Sequence, residues 1–371
     1  MTILIAPDKF KGTLSAREAA AAIARGCRRA YPNARIVEQQ MADGGEGSMA
    51  LLRDVLPLKT HRLEVAGPLK KPVLAEYLLG EGRAYIEVAQ ACGLQYIPPL
   101  RRNPMITTTI GVGMLIDDAI ARGATNISLF LGGSATNDCG AGMAGALGYR
   151  FFSDRGNDFI PTGDSLGWTT RIDAEKVNPA IKNIRFTAVC DVDNPLLGPD
   201  GATYVYASQK GAKPEDLPVL EDHMSRFADT LERALKVVVR GVGGAGAAGG
   251  LGAGAMAFLG AELKPGIEVM MEAVGFPSLL ATADLVITGE GKIDEQTVRG
   301  KVVAGVAKAA KIAGVPVIAV GGVRTVGLEE LPDLSAVHTL MEQPGMTVEK
   351  AMNDSAERLE EMVAEVLKSR C

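Results

Sequence analysis

The chain has few of the residues that commonly move protons or bind transition metals. Its three histidines, His61, His223 and His338, are far apart and belong to no polar cluster. A histidine base is therefore not expected, and acid–base work would fall to a carboxylate or a lysine. Five cysteines, an odd number, include no C-x-x-C pair. That argues against a disulfide framework or a zinc site and fits reduced thiols in a cytoplasmic protein. There is no long basic run and the formal net charge is −5, so nucleic acid is not an expected partner. The opening "MTILIAPDKFKGTL" lacks the charged and apolar regions of a signal peptide and starts as a strand. Residues 241–261 are uncharged but hold nine glycines and few large aliphatics, a poor span for a membrane. No Walker A sequence occurs either.

Glycine is abundant, at 44 residues, and 47% of the chain is hydrophobic against 22% charged. This is a soluble globular balance, and 371 residues favour two domains. Ile3–Ala6 reads as a strand, and Ser15 with Glu18 as the capping box of a helix carrying Ala19, Ile23 and Cys27 at helical spacing. Pro32 ends that helix, a strand follows at Ile36–Gln40, and a helix at Met49–Leu56. From Arg62 the pattern changes to short strands broken by Gly-Pro and by Gly80-Glu81-Gly82, hairpin signals of an antiparallel or mixed sheet. Helices are expected at 110–121 and 215–235, and strands at 126–131 and 184–190. From Ala283 the βα rhythm returns, with helices at 297–313 and 348–368. The expected fold is α/β in two domains. Residues 1–66 and 285–371 form a Rossmann-like domain with a parallel sheet, and residues 67–284 an inserted α/β domain with a mixed sheet. The active site is expected in the cleft between them.

Five loops repeat one design: an apolar strand, then glycines with carboxylates or hydroxyls. "APDKFKG" brings Asp8, Lys9 and Lys11; "ADGGEGS" brings Asp43, Gly44, Gly45 and Glu46. "GGSATNDCGAG" brings Gly132, Gly133, Ser134, Thr136, Asn137 and Asp138; "TGEGKID" brings Gly289, Glu290, Gly291 and Lys292. Glycines let backbone N–H groups approach an anion beyond the carboxyl ends of strands, so these residues are candidates for nucleotide or substrate binding. The plain alternative for each loop is a tight strand–helix turn. "CDVDNP" carries the sharpest chemistry. Asp191 follows a strand directly, suiting a base that accepts a hydroxyl proton, and Asp191, Asp193 and Asn194 suit Mg²⁺. The alternative there is an Asx-turn at Asn194-Pro195. Lys9 and Lys292, after strands, could neutralise a transferring phosphate. "GVGGAG", Gly241–Gly246, also matches G-x-G-x-x-G after Val237–Val239 and supports a rival reading, a nicotinamide-dependent dehydrogenase of a small hydroxy acid. A non-catalytic anion-binding protein is a third.

Taken together, "IAPDKFKGTLSA", "ADGGEGS", "GGSATNDCGAGM", "CDVDNPLLG", "QKGA", "GAGAAGGLGA", "FLGAELKPGIE" and "TGEGKIDEQT" resemble the bacterial glycerate kinases of the class related to glycerate 2-kinase, essentially end to end. The resemblance implies an ATP- and Mg²⁺-dependent kinase acting on D-glycerate, with a Rossmann-like domain from both chain ends and a second domain inserted. Cys139 stands where the family usually has glycine, Thr109 and Met114 where serine and glutamate are common, and Ser208 where proline is common. The residues alone leave C2 or C3 of glycerate open as acceptor, with Lys9, Lys11 and Lys292 as candidate carboxylate anchors. The resemblance favours C2. A homo-oligomer is compatible with the sequence.

Overall fold

The computed structural model describes residues 1–45 and 47–369. Its contacts divide the chain into two units, Met1–Val55 with everything from Pro265 onward, and Leu56–Lys264. The expected borders at 66/67 and 284/285 thus move to 55/56 and 264/265. The strand Lys59–Ala66 pairs along its whole length with Pro72–Gly80, which draws it into the inserted unit. At the other border, Ile267, Phe276 and Leu280 pack with Leu4, Val286 and Val303 and hold helices Gly266–Ala273 and Phe276–Leu280 in the terminal unit.

The terminal unit is built on a five-stranded parallel sheet. Its spatial order is Ala336–Thr339, Val317–Arg324, Leu285–Ile293, Thr2–Pro7, Arg35–Glu38. Parallel strands are covered on both faces, and the alternation of apolar residues shows how. Ile3, Ile5, Leu285, Ile287, Ile318 and Val320 meet helices Ala16–Ala30 and Ser355–Lys368. Leu4, Ala6, Val286, Val317 and Ala319 meet helix Val302–Ile312 on the other face. Ser15 and Glu18 form the expected capping box. Gly26 is required by packing: a Cβ there would lie 2.6 Å from the Glu360 carbonyl. The chain leaves Thr2–Pro7 toward one edge and returns at Leu285–Ile293 on its other side. Their carboxyl ends therefore flank a topological switch point, where α/β sheets bind ligands.

The inserted unit has a six-stranded mixed sheet, in the order Glu262–Lys264, Arg185–Val189, Asn126–Phe130, Arg83–Glu87, Pro72–Gly80, Lys59–Ala66. The first four strands are parallel and the last two pairings antiparallel. The expected hairpin turn is a two-residue loop with Glu81 at φ 49° and Gly82 at φ 73°, the paired positive angles that match strand twist. A small three-stranded antiparallel sheet, Arg150–Phe152 with Asp158–Phe159 and Arg171–Asp173, extends this unit.

One motif match loses its context, and two expected helices are divided. Val237–Val239 forms no strand, so the G-x-G-x-x-G match lacks the context of a dinucleotide fingerprint. The helix expected at 297–313 divides into Glu295–Val298 and Val302–Ile312 around Gly300 at φ 105°. The terminal helix divides at Asp354 into Val348–Asn353 and Ser355–Lys368. Among the described residues, no helix is long and apolar enough to cross a membrane.

Candidate functional site

Register places two of the expected loops side by side in the inserted unit. Phe130 is opposite Val189 in adjacent parallel strands, and the Leu131 amide donates to the Val189 carbonyl at 3.2 Å. The loop starting at Gly132 and the loop holding Asp191 therefore leave the same end of the same sheet.

The first loop turns its polar side chains inward. Gly132 and Gly133 are exposed, whereas Ser134, Thr136, Asn137 and Asp138 are buried. Asp138 accepts from the Thr109 amide (2.8 Å), the Thr109 hydroxyl (2.9 Å), the Gly142 amide (3.3 Å) and the Gly140 amide (3.2 Å). Burial raises its pKa, and these donors work against the rise. Expected to face a ligand, Asp138 instead anchors the loop to the start of helices Ile110–Ala121 and Ala141–Ala146. Cys139, where glycine is usual in the resembling family, has φ 50°, a left-handed conformation that favours glycine. Asn137 is fully buried, and neither its amide nitrogen nor its amide oxygen finds a hydrogen-bond partner.

The second loop turns its acidic side chains outward. Asp191 and Asp193 are exposed. Asn194, expected as a metal ligand, uses its side chain on the chain itself: its nitrogen donates to the Asp200 carbonyl at 2.8 Å, and its oxygen accepts from the Tyr206 hydroxyl. Its carbonyl accepts from Gly244 and Gly246. Among the described residues, no group of three or more His, Cys, Asp or Glu side chains is placed to hold a metal ion.

The glycine run behind "GVGGAG" supports both loops. A Cβ on Gly246 would lie 2.2 Å from the Pro195 carbonyl, and one on Gly249 only 2.0 Å from the Thr136 carbonyl. Ala248, Gly249 and Gly250 are all left-handed, which brings their backbone against the first loop; the Cys139 amide donates to the Gly249 carbonyl at 3.2 Å. The glycines serve backbone packing.

The terminal unit has its own polar group at the switch point. The Asp8 amide donates to the Gly289 carbonyl (2.8 Å), and the Asp8 carboxylate accepts from the Lys9 amide (2.6 Å). Burial and the neighbouring Asp43 push Asp8 up to about 6, against the pull of Lys9 and Lys301. Glu290, 7% exposed, accepts from the Thr297 hydroxyl at 2.6 Å. That hydroxyl accepts the Asp294 amide, so its one proton is directed to Glu290. Burial pushes Glu290 up to about 7, with Thr297 opposing and the Asp8 charge adding to the rise. Asp43 holds its own turn through the Gly45 amide (2.9 Å), with Gly44 at φ 88°. The Gly47 α-carbon lies toward the Lys9 ammonium, 3.9 Å from where a Cβ would stand. Gly291 passes the Lys11 backbone closely, while the Lys11 side chain is exposed. Lys292 pairs with Asp294 at 3.1 Å and is 59% exposed. Glu46 lies outside the described residues.

Three participants were not singled out from sequence: Lys210, Thr297 and Lys301. Lys210 is 3% exposed and donates to the Ser134 hydroxyl (3.0 Å) and the Thr136 carbonyl (2.8 Å). It lies in "QKGA", one of the stretches carrying the family resemblance, but follows no strand and so lacked the placement that marked Lys9. Thr297 and Lys301 follow the "TGEGKID" loop; Thr297 closes a capping box with Asp294, and the helix so started turns its hydroxyl back to Glu290.

A sequence model described as "Glycerate kinase family" matches residues 3–370. The chain is 46% identical to a glycerate kinase of Halalkalibacterium halodurans, over 97% of this chain and 96% of that protein. It is 42% identical to a glycerate 2-kinase of Escherichia coli, over 97% and 95%. A crystal structure described as "putative glycerate kinase 2 from Salmonella typhimurium LT2" superposes with a TM-score of 0.86 at 40% identity, covering 100% of this chain and 98% of that one.

Proposed function

The chain belongs to the glycerate kinase family, and from that premise we propose that it transfers the γ-phosphoryl group of ATP to C2 of D-glycerate, giving 2-phosphoglycerate and ADP. Asp191 accepts the proton of the glycerate hydroxyl. The freed oxygen bonds to the γ-phosphorus, and the bond to the bridging oxygen breaks as ADP leaves. The observation that carries this reading is the shared sheet end: an exposed carboxylate and an exposed glycine pair follow neighbouring strands. Phosphoryl transfer asks mainly for positioning and charge stabilisation. Gly132 and Gly133 offer backbone N–H groups to an anionic group of one substrate. Asn137 adds support. A buried amide without partners costs about 1–3 kcal/mol per group, and a polar atom of a ligand or of water would offset that.

Mg²⁺ fits the donor set. It binds oxygen through one or two carboxylates and keeps its remaining positions for phosphate and water, so a three-carboxylate cage is not required. Asp193, with Asp191 beside it, would hold the ion; Asn194 would fix the loop. The bound ion would neutralise charge on the phosphates. Lys9 and Lys11 are the remaining cationic candidates for a substrate carboxylate. A cytoplasmic location belongs to the same proposal.

A second assignment of the base has its own observation. Glu290 is buried, oriented by Thr297 and raised to about 7, near the pKa that suits a general base at neutral pH. Asp191→Asn and Glu290→Gln separate the two, since the proton acceptor is the one whose loss abolishes turnover in a folded protein. The product is tested by coupling to enolase, pyruvate kinase and lactate dehydrogenase without phosphoglycerate mutase. Immediate signal means 2-phosphoglycerate. Signal only after mutase is added means 3-phosphoglycerate and overturns the choice of C2.

A further inference from the structure

We propose that Lys210 is the positioning residue of the glycine loop: from inside the fold it ties the Ser134 side chain to the Thr136 carbonyl, and so fixes the exposed Gly132–Gly133 backbone that meets substrate. The inference rests on the reading of that loop as an anion site.

Lysine is almost never fully buried unless its charge is compensated. Lys210 is 3% exposed, yet its two hydrogen bonds go to neutral oxygens of the loop, not to a carboxylate. The Asp138 oxygens are already engaged by Thr109, Gly140 and Gly142. Lys210 is rigidly presented. It ends the turn Ser208–Lys210, closed by Gly211 at φ 97°, where a Cβ would lie 2.2 Å from the Arg102 carbonyl. The loop is held elsewhere by the Leu94 amide on the Gly133 carbonyl (3.0 Å) and by the Ala135 amide on the Cys92 carbonyl (2.8 Å). The Thr107 hydroxyl holds the Ala135 carbonyl (2.9 Å), and Lys210 adds the restraints on the Ser134 side chain and the Thr136 carbonyl. With these gone, the two exposed glycines, which have the widest conformational freedom of any residue, would sample other orientations.

The titratable groups facing Lys210 are Asp138, whose charge favours the ammonium, and Cys92, whose thiol is pushed up to about 12 by burial and so stays neutral where Lys210 titrates. Burial outweighs the Asp138 charge and lowers the Lys210 pKa to about 8. Charged donors make stronger hydrogen bonds than neutral ones, so the tether weakens as the ammonium deprotonates. A lysine that merely fills space would not link loop geometry to pH.

The test measures KM and kcat for ATP and for glycerate between about pH 7 and about pH 9.5. The proteins are wild type, Lys210→Met, Ser134→Ala and the double variant, with circular dichroism confirming the fold. The expected result is a KM for one anionic substrate raised about tenfold in Lys210→Met, about one charged hydrogen bond, with kcat changed less than about threefold. The wild-type KM should rise through about pH 8, and that inflection should vanish in Lys210→Met. Ser134→Ala should cost less in the Lys210→Met background than alone, because the two share one interaction. Wild-type KM values and an unchanged inflection in Lys210→Met would overturn the proposal. If that variant does not fold, Ser134→Ala decides. It removes one oxygen from the ammonium, so its KM inflection should move to lower pH; an unmoved inflection with unchanged KM overturns the proposal. Gly133→Val separates the underlying reading. A raised KM there without an effect in Lys210→Met sinks the role of Lys210 alone. Unchanged Michaelis constants in Gly133→Val sink the anion site and the tether together.

Discussion

The loops after Asn126–Phe130 and Arg185–Val189 start from neighbouring positions on one sheet and end up inside out relative to each other. In the first, Ser134–Asp138 are buried and the exposed part is two glycines. In the second, two carboxylates are exposed and Asn194 is folded back onto Asp200 and Tyr206. A run of polar residues beyond a strand can thus act through either of two surfaces. The first loop encloses its side chains, with Ser134 and Asp138 in internal hydrogen bonds, and presents backbone. The second gives the Asn194 carbonyl to the glycine run and the Asn194 side chain to Asp200 and Tyr206, and presents its carboxylates. Backbone N–H groups can bind an anion but cannot exchange a proton; carboxylates can do the latter. Mutations should therefore leave opposite kinetic signatures.

The largest expected effect is in the second loop. Asp191→Asn keeps shape and loses proton acceptance, so kcat should fall by about 10²-fold or more. Thermal melting should hardly move, because the site is exposed. Turnover close to wild type would return Asp191 to an ordinary turn and break the comparison on that side.

The signature of the first loop is a KM effect. Gly133 has φ 76°, and a Cβ there would approach Ala89 at 3.2 Å. Gly133→Val should raise one Michaelis constant by about tenfold through a displaced N–H group, with a smaller change in kcat. Michaelis constants unchanged from wild type for both substrates in a folded variant would mean that the loop only packs.

A pH experiment on Glu290 extends the comparison to the terminal unit. Its folded pKa of about 7 lies above the ordinary 4.5, so the folded protein keeps a proton that the unfolded chain releases between those values. Stability from this source is present below pH 4.5 and is lost as pH rises through about 7. Glu290→Gln, which keeps an oxygen for Thr297, should therefore gain several degrees in melting temperature relative to wild type between about pH 4 and about pH 8. A pH-independent difference would show that Glu290 is not held above its ordinary value.

Lys292 should give the smallest effect. It is expected from sequence to neutralise a phosphate, but its ammonium pairs with Asp294 and is 59% exposed. Surface pairs of this kind contribute little. Lys292→Met should change kcat by less than about threefold. A loss approaching that of Asp191→Asn would restore Lys292 to the reacting centre.

Much of the architecture was readable because its causes are local. The helix Ile110–Ala121, the capping box at Ser15, the hairpin at Glu81-Gly82 and the strands Thr2–Pro7, Asn126–Phe130 and Arg185–Val189 follow from hydrophobic period and turn chemistry within a few residues, whereas Glu262–Lys264 and the three-stranded sheet were not anticipated. The loops were readable as a group for the same reason, since glycine and small polar residues interrupt apolar strands. What each loop residue does was less readable. Asp138 and Asp191 both follow strands in glycine- or asparagine-containing loops, and nothing nearby in sequence says that one will be enclosed by Thr109, Gly140 and Gly142.

Local signals were enough for the α/β class, the βα rhythm at both chain ends, and the set of loops in which chemistry would lie. These depend on propensity and periodicity, which each segment carries with it. Packing set which way the loop side chains face, brought Lys210 to the first of those loops, and made the glycine run at 241–250 a packing surface for two of them. It also decided that Asp8 and Glu290 are raised above the usual carboxylate range. Burial, close backbone approach and the field around a carboxylate are set by atoms far apart in the chain, so they exist only once the segments have packed.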